Sequence, residues 1–115
     1  MSRNKSGALR ISEAAPLFAA LGDETRLQLV SRLGSEGPLS IVRLSEGTQL
    51  TRQAITKHLT ALSDAGLVQG TRHGREHIWQ LEPARLEKAR EHLAHISREW
   101  DNALGRLADF LKENP

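Results

Sequence analysis

A seven-residue repeat runs through the last third of the chain. Two repeat positions are apolar throughout: Leu86, Leu93, Trp100 and Leu107 at the first, and Ala89, Ile96, Ala103 and Phe110 three residues later. Four such repeats predict one long helix, from about Ala84 to Lys112, with an apolar seam along one side. A seam of this kind needs another helix to pack against. In a chain of 115 residues, we expect that helix to come from a second copy of the chain.

The length predicts a single domain over residues 11–115, preceded by a flexible basic arm over residues 1–10. The arm carries Arg3, Lys5 and Arg10 but has no apolar stretch behind it, so it does not read as a secretory signal. No apolar run approaches the roughly 18–20 residues that cross a bilayer. We therefore expect a cytoplasmic protein with no membrane partner.

The sequence contains no cysteine, which excludes disulfides, thiolate nucleophiles and cysteine-based metal sites. It also offers no set of nucleophile, base and acid, and no glycine-rich phosphate loop. We therefore expect neither enzyme activity nor a cofactor.

Cap residues and glycines divide the first two thirds of the chain into four predicted helices. A loop at Glu36-Gly37-Pro38 separates the second helix from the third, because proline prevents a helix from continuing. The expected helices run from Ile11 to Gly22, from the N-cap Asp23 to Gly34, from the N-cap Ser40 to Gly47, and from the N-cap Thr51 to Gly66.

The fourth predicted helix has two chemically different faces. Ile55, Leu59 and Leu62 follow one another at helical spacing and predict a buried stripe. The other side is polar and carries Arg52, Gln53, Thr56, Lys57 and Thr60.

After Gly66 the apolar period changes to two, which predicts a β-hairpin. Its strands are expected at Leu67–Thr71 and Glu76–Leu81, joined through Arg72-His73-Gly74-Arg75. Trp79 in the second strand is more typical of a packed residue at the hairpin base than of a stacking platform. The predicted fold is mostly α with a small hairpin, in the order α-α-α-α-β-β-α.

A short helix, a glycine turn and a second helix with a polar outer face are typical of helix-turn-helix DNA-binding proteins, and a basic hairpin that follows is a wing. Gln53 is suited to adenine, Arg52 to guanine and Thr56 to a base edge or methyl group. Lys57 and His58 suit phosphate contacts or a bracing role. Two arginines in the hairpin turn, Arg72 and Arg75, suit phosphates or a minor groove. Residues 51–75 hold four basic side chains and one acidic one, Asp64, so the local charge favours a phosphate backbone.

Four segments closely resemble the ArsR/SmtB family of winged-helix bacterial transcriptional regulators, and the similarity extends from about Ala15 to the C-terminus. The segments are Leu21-Gly22-Asp23-Glu24-Thr25-Arg26-Leu27, Thr51-Arg52-Gln53-Ala54-Ile55-Thr56-Lys57-His58-Leu59, Leu62-Ser63-Asp64-Ala65-Gly66-Leu67-Val68 and Arg72-His73-Gly74-Arg75-Glu76.

The resemblance implies a homodimer joined through the first and last helices and bound to a palindromic double-stranded DNA operator, usually as a repressor and often of its own operon. Arg26 matches a family residue, for which a phosphate contact and a surface salt bridge with Glu24 or Asp23 are both open. The implied DNA contacts are Thr51, Arg52, Gln53, Thr56, Lys57, His58, Arg72, Arg75 and Arg26. The implied dimer interface comprises Leu86, Leu93, Ile96, Trp100, Leu107, Phe110, Leu17 and Phe18.

Two departures concern metals. The metal-sensing members carry a cysteine pair on the helix that corresponds to Ser40–Glu46, and this segment has no soft ligand here. His92 and His95 imitate half of a second family site, but no histidine occurs near Gln80 to Glu82, where the other half would lie. We therefore expect no bound metal. For the inducer the sequence leaves three possibilities open: a small molecule in the dimer interface, a partner protein, or none.

One alternative function is a winged helix that binds another protein and no DNA. The polar residues at 52, 53, 56 and 57 argue against it, because a protein interface favours apolar anchors.

Overall fold

The computed structural model describes residues 10–113, which form five helices and three short strands. Residues 1–9, most of the predicted basic arm, lie outside the described residues. In chain order the elements are α1 (Ile11–Leu21), α2 (Glu24–Glu36), β1 (Leu39–Ser40), α3 (Ile41–Ser45), α4 (Arg52–Asp64), β2 (Val68–His73), β3 (Glu76–Leu81) and α5 (Pro83–Glu113). The predicted order of helices and hairpin is confirmed, with one additional strand.

The helix boundaries follow from local chemistry. Arg10, which was predicted to belong to the arm, is the N-cap of α1. Its backbone N–H donates to Oε1 of Glu13 at 3.0 Å. Asp23 caps α2 as predicted, because its Oδ2 accepts from the backbone N–H of Arg26 at 3.0 Å. α5 begins one residue earlier than expected, at Pro83, a position at which proline loses no helical hydrogen bond.

The prediction that the second helix stops at Gly34 is wrong. α2 continues to Glu36, and its terminal glycine is Gly37, whose φ of 84° lies in the left-handed region. Gly34 is an interior position that faces β3, since a Cβ there would lie 3.5 Å from Cδ1 of Leu81. The proline that follows Gly37 then prevents the helix from resuming.

The strand that the sequence did not predict is β1, which has only two residues. Leu39 pairs with Trp79 and Ser40 with Ile78, antiparallel to β3. The sheet order is therefore β1-β3-β2, with β3 in the centre. β2 extends through His73, so the turn is shorter than the predicted four residues and comprises only positions 74 and 75.

One core lies between the helices and the sheet. Its most deeply buried large side chains are Leu17, Leu44, Ile55, Leu59, Leu62 and Leu67. The assignment of Leu17 to a dimer interface is wrong, because this side chain is 1% exposed within a single protomer. Leu86, from the first heptad of α5, also packs against this core, and Ala89 is part of it.

The C-terminal half of α5 extends away from this core. The helix has 31 residues and is therefore about 46 Å long. Every residue from Ser97 to Glu113 is exposed. Five large apolar side chains are among them: Trp100, Leu104, Leu107, Phe110 and Leu111. Within residues 10–113, no helix is both long enough and apolar enough to cross a membrane.

Gly70 allows the wing to pack, and we expect Gly70→Ala to destabilise the protein. A Cβ at this position would lie 2.7 Å from Nε2 of His77 and 2.8 Å from Cζ3 of Trp79. Those two rings stack with centroids 4.5 Å apart, and the ring of Trp79 is buried. Urea denaturation should give a free energy of unfolding lower by about 1–3 kcal/mol, the usual cost of overpacking.

Gly105→Ala is the matched control, because a Cβ there meets no atom within 4 Å. Alanine in a helix interior should raise the free energy of unfolding by about 0.5–1 kcal/mol. This account of the wing would be contradicted if Gly70→Ala caused no loss of stability, or if Gly105→Ala caused a similar loss.

Candidate nucleic-acid interface

The helix-turn-helix unit is α3, the turn over residues 46–51, and α4. Ser40 caps α3, since its hydroxyl accepts from the backbone N–H of Arg43 at 3.1 Å. The helix ends at Ser45, slightly before the predicted end, and Gly47 takes a φ of 78° in the turn. Thr51 then caps α4 as predicted, accepting from the backbone N–H of Ala54 at 3.0 Å. This turn therefore determines where α4 begins.

Arg32 of α2 holds α3 in place. Its guanidinium donates to the carbonyl oxygens of Leu44 and Arg43, each at 3.3 Å. These carbonyls belong to the last turn of a five-residue helix, where backbone acceptors lack helical partners and a cation is favourable. α2 thus braces the helix that in turn supports α4.

The two predicted faces of α4 are confirmed. Ile55, Leu59 and Leu62 are at most 1% exposed, so they fix which side of the helix faces the core. The opposite side is exposed and brings together four of the predicted DNA-contacting side chains: Arg52, Gln53, Thr56 and Lys57. These side chains lie within the first two turns, where the positive end of the helix dipole adds to the charge of Arg52 and Lys57. An exposed surface of cations, an amide and a hydroxyl suits DNA better than an apolar protein partner.

α4 leads directly into the wing through Gly66, which has a φ of 79°. The backbone N–H of Gly66 donates to the Ser63 carbonyl and that of Leu67 to the Leu62 carbonyl, each at 2.9 Å. This paired arrangement is the Schellman motif, which ends a helix and reverses the chain. The predicted role of Gly66 is therefore confirmed.

The wing exposes both of its predicted arginines, but on different parts of the hairpin. Arg72 belongs to β2, opposite His77, whereas Arg75 lies in the two-residue turn beside Gly74, whose φ is 64°. The turn tip is thus narrower than predicted, and Arg75 is the cation nearest its end.

Two of the predicted DNA-contacting residues are not part of the exposed face of α4. Arg26 belongs to α2, and His58 is a half-buried residue of α4. Nε of Arg26 donates to the Ala20 carbonyl at 2.6 Å, and its NH1 atom lies 3.3 Å from Nδ1 of His58. The His58 side chain is 26% exposed, and its Nδ1 also lies 3.8 Å from Oδ2 of Asp23. No local pattern pairs Arg26 with His58, because the two residues are 32 positions apart along the chain.

Asp23 is electrostatically stabilised in this cluster. The hydrogen bond from the backbone N–H of Arg26 holds the pKa of the Asp23 carboxyl below its ordinary value, and the charges of Arg26 and His58 act in the same direction. Its carboxylate form therefore favours the folded state.

The histidine pair of α5 is engaged in other contacts. Nε2 of His95 lies 3.2 Å from Oε2 of Glu99, and the ring centroid of His92 lies 5.9 Å from that of Phe18. Among residues 10–113, no group of three or more His, Cys, Asp or Glu side chains is placed to hold a metal ion.

A braced short helix, a glycine turn, an exposed polar helix and a basic hairpin define a winged helix-turn-helix DNA-binding protein. A family model described as a helix-turn-helix domain matches residues 21–71. The HTH-type transcriptional regulator Rv2034 of Mycobacterium tuberculosis is 35% identical over 94 residues, which cover 82% of this chain and 84% of the relative. The arsenical resistance operon repressor of Escherichia coli is 33% identical over 67 residues, covering 58% of this chain and 57% of the relative.

Among solved structures, an ArsR-like transcriptional regulator from Rhodococcus sp. RHA1 matches with a TM-score of 0.71 and 38% identity, covering 86% of this chain and 92% of that one. The chain belongs to the ArsR/SmtB family of winged helix-turn-helix transcriptional regulators. It is a DNA-binding regulator of transcription, and its family is not a class of enzymes.

Replacing Asp23 by asparagine should reduce the acid sensitivity of the fold. The folded-state pKa of Asp23 is lowered, so its stabilisation is full above the ordinary pKa near 3.8 and is lost as the pH falls below that value. Asparagine keeps the cap but cannot titrate. Urea denaturation between neutral pH and the acid range should therefore show a shallower loss of stability in Asp23→Asn.

Glu24→Gln is the control for this measurement, because it removes the neighbouring carboxylate and leaves the cap in place. An acid profile that Asp23→Asn and Glu24→Gln change equally would contradict a special role for Asp23.

Proposed function

We propose that two copies of this chain bind a palindromic operator in the cytoplasm and repress transcription there, including that of their own operon. The observation that carries the proposal is the exposed polar face of α4, held outward by a fully buried stripe on the opposite side. Repression is also supported by the similarity to the arsenical resistance operon repressor of Escherichia coli.

In this proposal α4 lies in the major groove, which is about 12 Å wide and accepts one helix. Gln53 pairs with adenine through its amide, Arg52 with guanine, and Thr56 with a base edge or a thymine methyl group. Thr51 and Lys57 lie beside them and contact phosphates, which position the helix without reading sequence.

The wing supplies additional contacts to the backbone. Arg72 and Arg75 are exposed and form no part of the packed wing base, where Trp79 is buried. In our proposal they contact phosphates or enter the adjacent minor groove. Each phosphate contact releases condensed counterions, so these arginines contribute to affinity for every DNA sequence.

The second copy is proposed to pack on α1 and α5. Phe18 of α1 and Leu93 and Ile96 of α5 line an apolar groove, and Trp100 beyond it is 65% exposed. α5 is amphipathic, and its apolar seam has the heptad spacing that favours helix pairing. The seam includes Leu86, Leu93, Ile96, Trp100, Leu107 and Phe110. Two copies joined here would present two α4 helices to half-sites one helical turn apart, about 34 Å. A small molecule or partner protein that displaces one copy from this groove would act as the inducer.

Gln53→Ala should relax base preference, whereas Arg75→Ala should weaken binding to all sequences alike. The operator is first selected from random DNA with the wild-type chain, and affinities are then measured by fluorescence anisotropy on a series of single-position operator variants. Gln53→Ala should lose about 1–3 kcal/mol of discrimination at one position in each half-site. Arg75→Ala should keep the preferences and lower the salt slope by about 0.9. Unchanged base preferences in Gln53→Ala would disprove the assignment of α4 as the reading helix.

Trp100→Glu should convert the dimer into monomers in sedimentation velocity, because two carboxylates would be buried in the seam. Asn102→Glu is the matched control, since it adds the same charge to an exposed position on another side of α5. Far-UV circular dichroism should show that both variants remain helical. A monomeric wild-type chain, or a dimer that Trp100→Glu leaves intact, would contradict the proposed interface.

A further inference from the structure

A polar junction lies where α1 ends, α2 begins and α4 passes. It consists of the Ala20 carbonyl, Asp23, Arg26 and His58. Its contacts join three helices: Arg26 reaches Ala20 of α1 at 2.6 Å and His58 of α4 at 3.3 Å, while Asp23 binds the backbone of Arg26 at 3.0 Å. The junction is partly buried, since His58 is 26% exposed and Asp23 37%.

Arg26 is held by acceptors within the protein. Its Nε donates to a carbonyl in the last turn of α1, where backbone oxygens have no helical partner and an arginine is a favourable capping group. A second arm of the same guanidinium points to His58. A planar fork that spans two helices fixes their relative orientation, which a flexible lysine ammonium would not do.

His58 points away from the surface that reads DNA. It follows Gln53 by five residues, which at 3.6 residues per turn places the two side chains about 140° apart around α4. Because a guanidinium only donates, Nδ1 of His58 is the acceptor in the contact with Arg26. The ring proton is therefore assigned to Nε2 in the neutral imidazole.

We propose that Arg26 and His58 are positioning residues, which set the angle of α4 relative to α1 without contacting DNA. The inference rests on the proposed function, in which α1 and α5 carry the dimer interface and α4 reads the operator. α1 packs on α5, with Phe18 beside His92. The junction thus links the reading helix to the helices that set the distance between the two half-sites.

The position of the junction predicts a specific defect in operator binding when Arg26 is replaced. Without the junction, α4 keeps its buried stripe and its base-contacting residues, but its angle to the two-fold axis is no longer fixed. Arg26→Gln and Arg26→Lys should both lose about tenfold in operator affinity, the size of effect expected from one charge-assisted hydrogen bond. Both should also discriminate less between the operator and versions whose half-sites are one base pair closer or further apart. The salt slope should stay at the wild-type value, because no phosphate contact is lost.

The alternative role for Arg26, a phosphate contact, gives opposite results. Arg26→Lys would then retain most of the affinity, and Arg26→Gln would lower the salt slope by about 0.9. Arg75→Gln, measured beside them, is the control for that pattern. For His58, the Asn variant keeps an acceptor near the position of Nδ1 and should retain more affinity than His58→Leu, and the Leu variant should add no further loss to Arg26→Lys.

The tautomer provides a test that needs no variant. Long-range ¹⁵N correlation spectra of the folded chain should show His58 at neutral pH with its proton on Nε2, both alone and on the operator. A proton on Nδ1 would overturn the inference. A lowered salt slope in Arg26→Gln together with retained affinity in Arg26→Lys would also overturn it, and so would an unchanged operator affinity in both Arg26 variants. Failure of the wild-type chain to select any operator would instead overturn the proposed function, and this inference with it.

Discussion

The burial of one side of α4 is the constraint on which the rest of the site depends. Leu59 and Leu62 have no exposed surface and Ile55 almost none, and each contributes roughly 1.5–3 kcal/mol by leaving water. Rotating the helix to expose them would cost most of the stability of a small domain. The outward direction of Gln53 is therefore determined by the core and not by any contact that Gln53 makes, which is why this surface is formed before DNA arrives.

The features that the sequence predicts correctly depend on local interactions. The caps at Asp23 and Thr51, the Schellman glycine at 66 and the two faces of α4 all depend on residues within one or two turns, so their patterns are visible in the chain. The features that the sequence does not reveal depend on a distant partner. β1 exists because β3 lies beside Leu39, and a two-residue strand has no periodicity to detect. Leu17 lies on a helix that the resemblance assigns to the interface, but its apolar side chain does not reveal which partner buries it.

Arg26 shows the same limit at the site itself. Resemblance to the family identified the residue, and its charge suggested phosphate, but charge alone does not distinguish a contact to DNA from one to the protein. In our proposal the distinction comes from geometry: a helix carbonyl at 2.6 Å and a histidine on α4 engage two of the three guanidinium nitrogens of Arg26 within the protein. The exposed arginines at 52, 72 and 75 differ in this respect, because they lie on the outer face of α4 and on the hairpin.

The seam and the reading helix lie in different parts of the chain, yet in our proposal a palindromic operator requires them to act together. The C-terminal half of α5 can set the separation of two copies, but it does not touch the buried stripe of α4, since every residue from Ser97 to Glu113 is exposed. In our proposal, orientation is transmitted through the part of α5 that packs on α1, and from α1 to α4. α1 is only 11 residues long and carries both connections, Phe18 against His92 and Ala20 against Arg26. A molecule that enters the groove between α1 and α5 would change the same path, which provides a physical route from an inducer to the operator without a metal-binding cysteine.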